Sequence, residues 1–351
     1  MSYRNVLLKL CIWTGAGLLI SMGGQQTALA QAVIVHTNGD VILGIHPEGH
    51  LNITNPDDPP FVSNSGATGL GFDFGGGNYQ DATSPGCLCE GWGVSATVGA
   101  VGVSGYANES SDGGAVNLTV DSFMSTASTA TSMVHLTGTP GLKVTQEYSP
   151  AAGLGGGAGA LFRDRVTITN DTGGTIDDVR YVRVMDWDVP PTEFSEFVTI
   201  LGTATTTLLE RSHDDGFESA NPLAATTPIV GATLDADFID NGPLDHGAYF
   251  LFNFGSLENG ESATFSIFYG AGENQAAANM LVSLEGLELF SYGQSNDGGS
   301  AANGAPTYIF GFSGVGGRPV IPPSGVPEPG TLLLLGGGLL GLALWRRRRS
   351  T

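Results

Sequence analysis

The chain has 351 residues, of which 54 are glycine and only 13% are charged. That glycine share is about twice the usual value and disfavours a helical bundle. Asp and Glu outnumber Lys and Arg by 34 to 13, giving a net charge of −21, a sign that excludes nucleic acid as a default partner because phosphates are repelled. With 41% hydrophobic residues the chain can bury a sizeable core, which excludes a disordered polymer.

In chain order, Arg4 and Lys9 precede an apolar stretch from Leu10 to Met22, and Ala28-Leu29-Ala30 supplies a small-x-small site. This predicts a secretory signal peptide over residues 1–30, cut after Ala30. Val33–His36 and Val41–Ile45 flank Thr37-Asn38-Gly39-Asp40, and an Asn-Gly pair between β-branched runs predicts a hairpin. His46 and His50 are four apart, but Pro47 and Gly49 between them argue against a helix, so the pair reads as an exposed loop rather than as metal ligands. From Asn55 to Gly91 the chain is rich in Pro, Gly, Ser and Asn, which predicts a long surface segment without regular structure. Within it Cys87 and Cys89 remain once Cys11 leaves with the signal peptide. They are open to three readings: a local disulfide, a pair of thiols, or half a zinc site with Glu90 as a third ligand.

Strands are predicted at Val94–Val103, Ala115–Phe123, Met133–Thr137 and Leu142–Tyr148. Leu161–Asn170 alternates with period two, and after Asn170-Asp171-Thr172-Gly173-Gly174 the run Val179–Val189 resumes until Pro190-Pro191, so the two are expected to form a second hairpin. This part resembles the exposed strands of large secreted β-sandwiches, including immunoglobulin-like and sugar-enzyme supersandwich domains. Asp186 and Asp188 flank Trp187, and on an extended strand their carboxylates share one face, roughly 7 Å apart. Acid/base hydrolysis, sugar or cation binding, and an ion-pair network with Arg180 or Arg183 are all open to them.

Further strands are expected at Phe197–Thr207, Pro228–Leu234, Ala248–Phe254, Ser262–Tyr269 and Thr307–Phe312. Asp235, Asp237 and Asp240, with Asp245 nearby, form a Ca²⁺ candidate, although the spacing is not that of an EF-hand. A helix is expected over Asn274–Phe290, with Ala277, Met280, Leu281, Leu284 and Leu287 as its apolar stripe. The usual signatures of metallopeptidases, P-loop enzymes and serine hydrolases are missing, so no catalytic residue is assigned and a non-enzyme is expected. The expected fold is all-β: a large two-layer antiparallel β-sandwich over residues 31–318 with one C-terminal amphipathic helix, then a linker over 319–326.

The tail has three parts in order: Pro327-Glu328-Pro329, an apolar run from Thr331 to Trp345, and Arg346-Arg347-Arg348-Arg349. As a helix the apolar run reaches about 22 Å, a short single transmembrane span against a hydrocarbon core of roughly 30 Å. The arginines would hold the C-terminus on the cytoplasmic side. These parts resemble the PEP-CTERM sorting signal. The resemblance implies that an exosortase, a membrane cysteine transpeptidase, recognises Pro327, Glu328 and Pro329. It also implies a membrane-held precursor and a cell-surface or extracellular-matrix destination in a Gram-negative bacterium. Between residues 31 and 327 the body carries 33 acidic and seven basic side chains, a net charge of −26, which favours solubility and attracts cations or basic surfaces. The expected role is structural or adhesive. The alternative is a carbohydrate-binding or carbohydrate-active protein with matrix polysaccharide as partner.

Overall fold

The computed structural model describes residues 31–54, 62 and 64–322. The expected signal peptide ending at Ala30 and the tail with Pro327, Glu328, Pro329 and Arg346 to Arg349 lie outside the described residues. Gly39 takes φ +84°, a conformation that glycine adopts without steric cost. It lets Ala32–Val35 (β1) fold back antiparallel on Val41–Ile45 (β2) with Val35 opposite Ile42. Leu70–Asp73 (β3) and Tyr79–Asp81 (β4) complete a four-stranded sheet in sequence order. This corrects the expectation of an irregular surface segment from Asn55 to Gly91: both strands are too short to show a period, yet Leu70 and Phe72 are buried.

Gly91–Val98 (β5) and Val101–Asn108 (β6) form a hairpin about Gly99, followed by Gly114–Val116 (β7). Leu118–Ser125 (β8), Ala130–Leu136 (β9), Thr139–Gly153 (β10) and Gly159–Asn170 (β11) form a meander. Ile176–Trp187 (β12) then leaves the meander and inserts beside β5. The chain alternates between two sheets through Glu196–Leu201 (β13), Leu209–His213 (β14), Phe238–Leu244 (β15) and His246–Asn253 (β16). It ends with Ser262–Gly272 (β17), helix Gln275–Glu285 (α1), Leu289–Gln294 (β18) and Thr307–Ser313 (β19). The sheet orders are β15-β13-β18-β19-β17-β11-β10-β9-β8 and β14-β16-β12-β5-β6-β7, and every ladder is antiparallel.

The expected second hairpin is therefore corrected. β11 pairs with β10 and β17, while β12 pairs with β5 and β16. Asn170-Asp171-Thr172-Gly173-Gly174 reverses the chain, but between layers instead of within one sheet. Pro228–Leu234 holds a short 3-10 turn at Gly231–Thr233 in place of a strand.

Alternation along the strands shows how the layers stack. On the nine-stranded sheet Phe162, Ile267, Tyr269 and Phe310 face one large core with Ile34 and Leu43 of the small sheet and Trp92 and Phe250 of the six-stranded sheet. Leu161, Phe268 and Ile309 face the other way, against Ala278, Leu281 and Val282 of α1. The structure is thus mostly packed β-sheets, but the layer opposing the nine-stranded sheet is two sheets, and the helix adds a layer outside. α1 begins at Asn274, whose Oδ1 accepts from the Ala277 N–H at 2.9 Å, and stops at Gly286 with φ +62°. Its buried stripe is Ala277, Ala278, Leu281 and Val282, whereas Met280 and Leu284 of the expected stripe are 56% and 64% exposed. The alanine side wins because Gly272 lets the helix backbone approach β17 closely; a side chain there would collide with Ala277 and Ala278.

Where the three sheets meet, Arg183 of β12 and Glu90, just before β5, form a fully buried ion pair through Nε and Oε1. Arg183 Nη1 donates to Gln146 Oε1 at 2.8 Å, and Nη2 donates to the Gly49 carbonyl at 3.3 Å. Glu90 Oε2 accepts from the Leu51 N–H at 2.6 Å, and the Tyr269 ring stacks under the guanidinium with its centroid 5.4 Å away. Removing one partner leaves the other charge buried and unpaired, at a cost of about 3–5 kcal/mol. Glu90→Gln and Arg183→Met should each lower the midpoint of urea denaturation by a corresponding margin, and the paired Glu90→Leu, Arg183→Met variant should recover most of it. Single variants with wild-type midpoints would refute this role.

Candidate functional site

Asp186 lies in β12 and Asp188 just beyond its end, so the pleat sends both carboxylates to one side and Trp187 to the other. Trp187 is buried, its Nε1 donating to Ser291 Oγ at 3.0 Å. Asp188 is fixed by its backbone N–H, which donates to the Ala82 carbonyl at 2.8 Å. Asp186 lies opposite Gly247 of β16, which brings Asp245 alongside. Asp186, Asp188 and Asp245 each offer a carboxylate oxygen, and these atoms lie within 4.8 Å of one another. Asp186 and Asp188 are 1% and 0% exposed, while Asp245 opens to solvent. Glu196, at the start of β13, stands at the same junction, its two oxygens accepting from the Ser195 and His246 backbone N–H groups.

The cluster lacks a compensating cation among the described residues. Arg180 pairs with Glu210 at 2.7 Å and Arg183 with Glu90, so the ion-pair network expected for Asp186 and Asp188 is not formed. Both Asp188 oxygens and Asp186 Oδ1 have no hydrogen-bond partner among the described residues. Burial, followed by neighbouring carboxylates such as Asp245, pushes the Asp186 carboxyl above the usual range, and burial does the same for Asp188 with Asp186 next in importance. Glu196 is pushed up to about 9, mainly by burial. The two carboxyls of the β12 end are covered, so they do not line a groove open to a polysaccharide.

Cys87 and Cys89 are joined in a disulfide, and Cys87 Sγ lies 3.3 Å from Asp186 Oδ2. A disulfide sulfur has no proton to donate, so this contact leaves Asp186 without a donor at that oxygen, and the zinc reading loses its thiolates. Glu90, the third ligand of that reading, is committed to Arg183.

His46 and His50 are corrected from an exposed loop to a buried pair, 7% and 0% exposed. The turn closes on itself through Gly49 N–H to His46 O, then plugs the junction beneath Trp92 Nε1, which donates to Glu48 O at 2.9 Å, and Tyr148, whose hydroxyl donates to Gly49 O at 2.7 Å. With Glu109 the two rings gather three ligand atoms within 4.8 Å. They stack 4.1 Å apart with planes 4° from parallel. A shared ion must lie near both ring planes, and parallel planes have no common point, so the pair does not form a chelate. Burial lowers His50 to about 4, so it stays neutral at pH 7.

Asp235, Asp237 and Asp240 are not brought together. Asp235 accepts from the Ser212 N–H at 2.8 Å, Asp237 from the Thr203 N–H and hydroxyl at 2.8 and 2.7 Å, and Asp240 from the Thr199 hydroxyl at 3.3 Å. Each serves a separate local contact along β15 and the segment leading into it. A buried carboxylate–imidazole contact joins Asp214 Oδ2 to His246 Nδ1 at 3.2 Å; His246 Nε2 has no partner among the described residues.

The PEP-CTERM protein-sorting motif matches residues 325–349. No curated protein and no solved structure matches the chain. The motif implies export, recognition by an exosortase-type enzyme, and a surface or extracellular destination.

Buried carboxyls make the cation-free fold sensitive to alkali. Asp164 is raised to about 7 and Glu196 to about 9, in both cases chiefly by burial, against unfolded values near 4. Their stabilising contribution is complete below pH 4 and is lost as pH rises through the folded values, because the folded state holds protons the unfolded chain has released. His50 and His213, both lowered to about 4 by burial, are neutral in either state above pH 7.5 and do not offset this. In EDTA the melting temperature should therefore fall steadily from pH 7 to pH 9; a flat profile would contradict the burial of these carboxyls.

Proposed function

We propose that the chain is an exosortase-sorted envelope protein whose acidic β-sheet body has a non-catalytic, structural or adhesive role at the surface or in the extracellular matrix of a Gram-negative cell. The observation that carries this reading is the sorting motif over residues 325–349. The body fits it. A net charge of −26 between residues 31 and 327 keeps copies apart and soluble after release, and large packed sheets tied by a buried ion pair suit a durable extracellular module. The carbohydrate-binding or carbohydrate-active alternative draws on Asp186, Asp188 and exposed aromatics, and the two carboxylates are covered by the protein. Among the described residues no helix is long and apolar enough to cross a membrane; in this reading Thr331 to Trp345 holds the precursor until processing.

A proline has a fixed φ and no N–H donor, so Pro327 and Pro329 disfavour helix at this point of the sequence, which suits recognition by an enzyme that takes an extended substrate. Glu328 adds one charge that the enzyme can read. In a host with an exosortase, Glu328→Ala should leave export and folding intact while the unprocessed, membrane-held form accumulates, as seen by mass spectrometry of the mature C-terminus. Wild-type protein that retains Trp345 and the arginines would make the tail a permanent anchor and overturn the processing step.

A further inference from the structure

We propose that Asp186, Asp188 and Asp245 form a single Ca²⁺ site at the end of β12. A carboxylate cluster alone does not make a site. Here Asp188 is fully buried, neither of its oxygens has a donor among the described residues, and one of them lies within 4.8 Å of a carboxylate oxygen of Asp186 and of Asp245. Buried polar groups in folded proteins are overwhelmingly partnered, so a buried carboxylate with both oxygens orphaned, set among two others, indicates a missing electrophile. We assign that electrophile as a metal ion because the nearby arginines are committed elsewhere, Arg183 to Glu90 and Arg180 to Glu210, and the His246 Nδ1 faces Asp214.

The donor set selects the ion. All three side chains present oxygen, and the neighbouring sulfurs are tied in a disulfide, so a hard cation fits and a thiolate-seeking one does not. Two oxygens on opposite sides of one Ca²⁺ lie about 4.8 Å apart, given Ca–O distances of 2.3–2.6 Å; the three oxygens fall inside that span. Mg²⁺ holds ligands at about 2.1 Å and sheds water reluctantly, which suits a covered protein cage less well. Gly216 and Gly247 press against the Asp186 backbone, and Gly86 borders Asp188 Oδ1 beside the Phe194 ring, so a side chain at any of the three would crowd the end of β12. Glu196 already accepts two backbone N–H groups; it adds negative field and is not a required ligand. Solvent-facing Asp245 supplies the entry side.

The test uses the full-length chain stripped with EDTA in detergent. Calorimetry should give one Ca²⁺ per chain, and 10 mM Ca²⁺ should raise the melting temperature by about 5 °C, the linkage expected when the ion binds only the folded state at about a hundredfold over Kd. Asp188→Asn should lose the Ca²⁺ response while melting no lower than wild type in EDTA, because the amide replaces, at nearly the same shape, a carboxyl that burial already keeps protonated without the ion. Should that variant fail to fold, Asp245→Asn, at the exposed side, should weaken Ca²⁺ binding at least tenfold. The Asp235→Asn, Asp237→Asn, Asp240→Asn variant should keep the wild-type response. Absence of binding by the wild type, an equal response to Mg²⁺, or a response that survives in Asp188→Asn would overturn the assignment. None of these outcomes depends on tail processing, so the sorting reading stands or falls separately.

Discussion

The buried Arg183–Glu90 pair is the constraint around which the three sheets are arranged. A charge pair taken out of water is tolerated only when its remaining donors and acceptors are filled, and no single sheet supplies all of them. Arg183 sits on β12, Gln146 and Tyr148 on β10, Tyr269 on β17, and Gly49 and Leu51 on the turn after β2. Satisfying one guanidinium therefore fixes the six-stranded sheet over the nine-stranded sheet and draws the His46–Leu51 turn into the junction. The depth of that turn is the physical reason two histidines flanked by Pro47 and Gly49 end up buried.

β12 carries two buried charge systems of opposite kind within a few residues. At Arg183 every formal charge has a counterpart. Three residues on, Asp186 begins a group of carboxylates with none, where burial and mutual repulsion hold the acidic protons in place. The first arrangement is self-sufficient and welds the layers. The second is complete only with a proton or a cation from outside, which gives the end of β12 a dependence on its surroundings that the junction around Arg183 lacks. In an exported chain of high negative charge, cation supply is a feature of the medium, and the fold places this dependence where β13, β16 and the Cys87–Cys89 loop converge.

Some elements could be read directly. Asn38-Gly39 specified its hairpin because both partners lie within one turn, and Leu161–Asn170 announced a half-exposed strand because one face meets solvent. β12 offered less, since a strand buried on both faces loses its alternation. The apolar stripe locates the helix and its start, but the helix stops at Gly286 rather than Phe290, and its buried side differs: hydrophobicity points to Met280 and Leu284, whereas the decisive factor is how closely backbone can approach Gly272. β3, β4 and β14 are short strands that gain their order from neighbours rather than from their own pattern, and β15 carries Asp240-Asn241-Gly242-Pro243, which reads as turn chemistry.

The sequence alone determined the sorting address, because Pro327-Glu328-Pro329, the apolar run and the arginine cluster form a linear signal whose chemistry sits in consecutive residues. It also determined the all-β class and the acidic character of the body, both sums over composition. Only the tertiary structure decided which charges are compensated. Glu90 and Arg183 are 93 positions apart, and Asp245 reaches Asp186 only because β16 pairs with β12. Coulomb energy and desolvation depend on distance in space and on cover by other layers, and neither quantity is encoded in the order of residues along the chain.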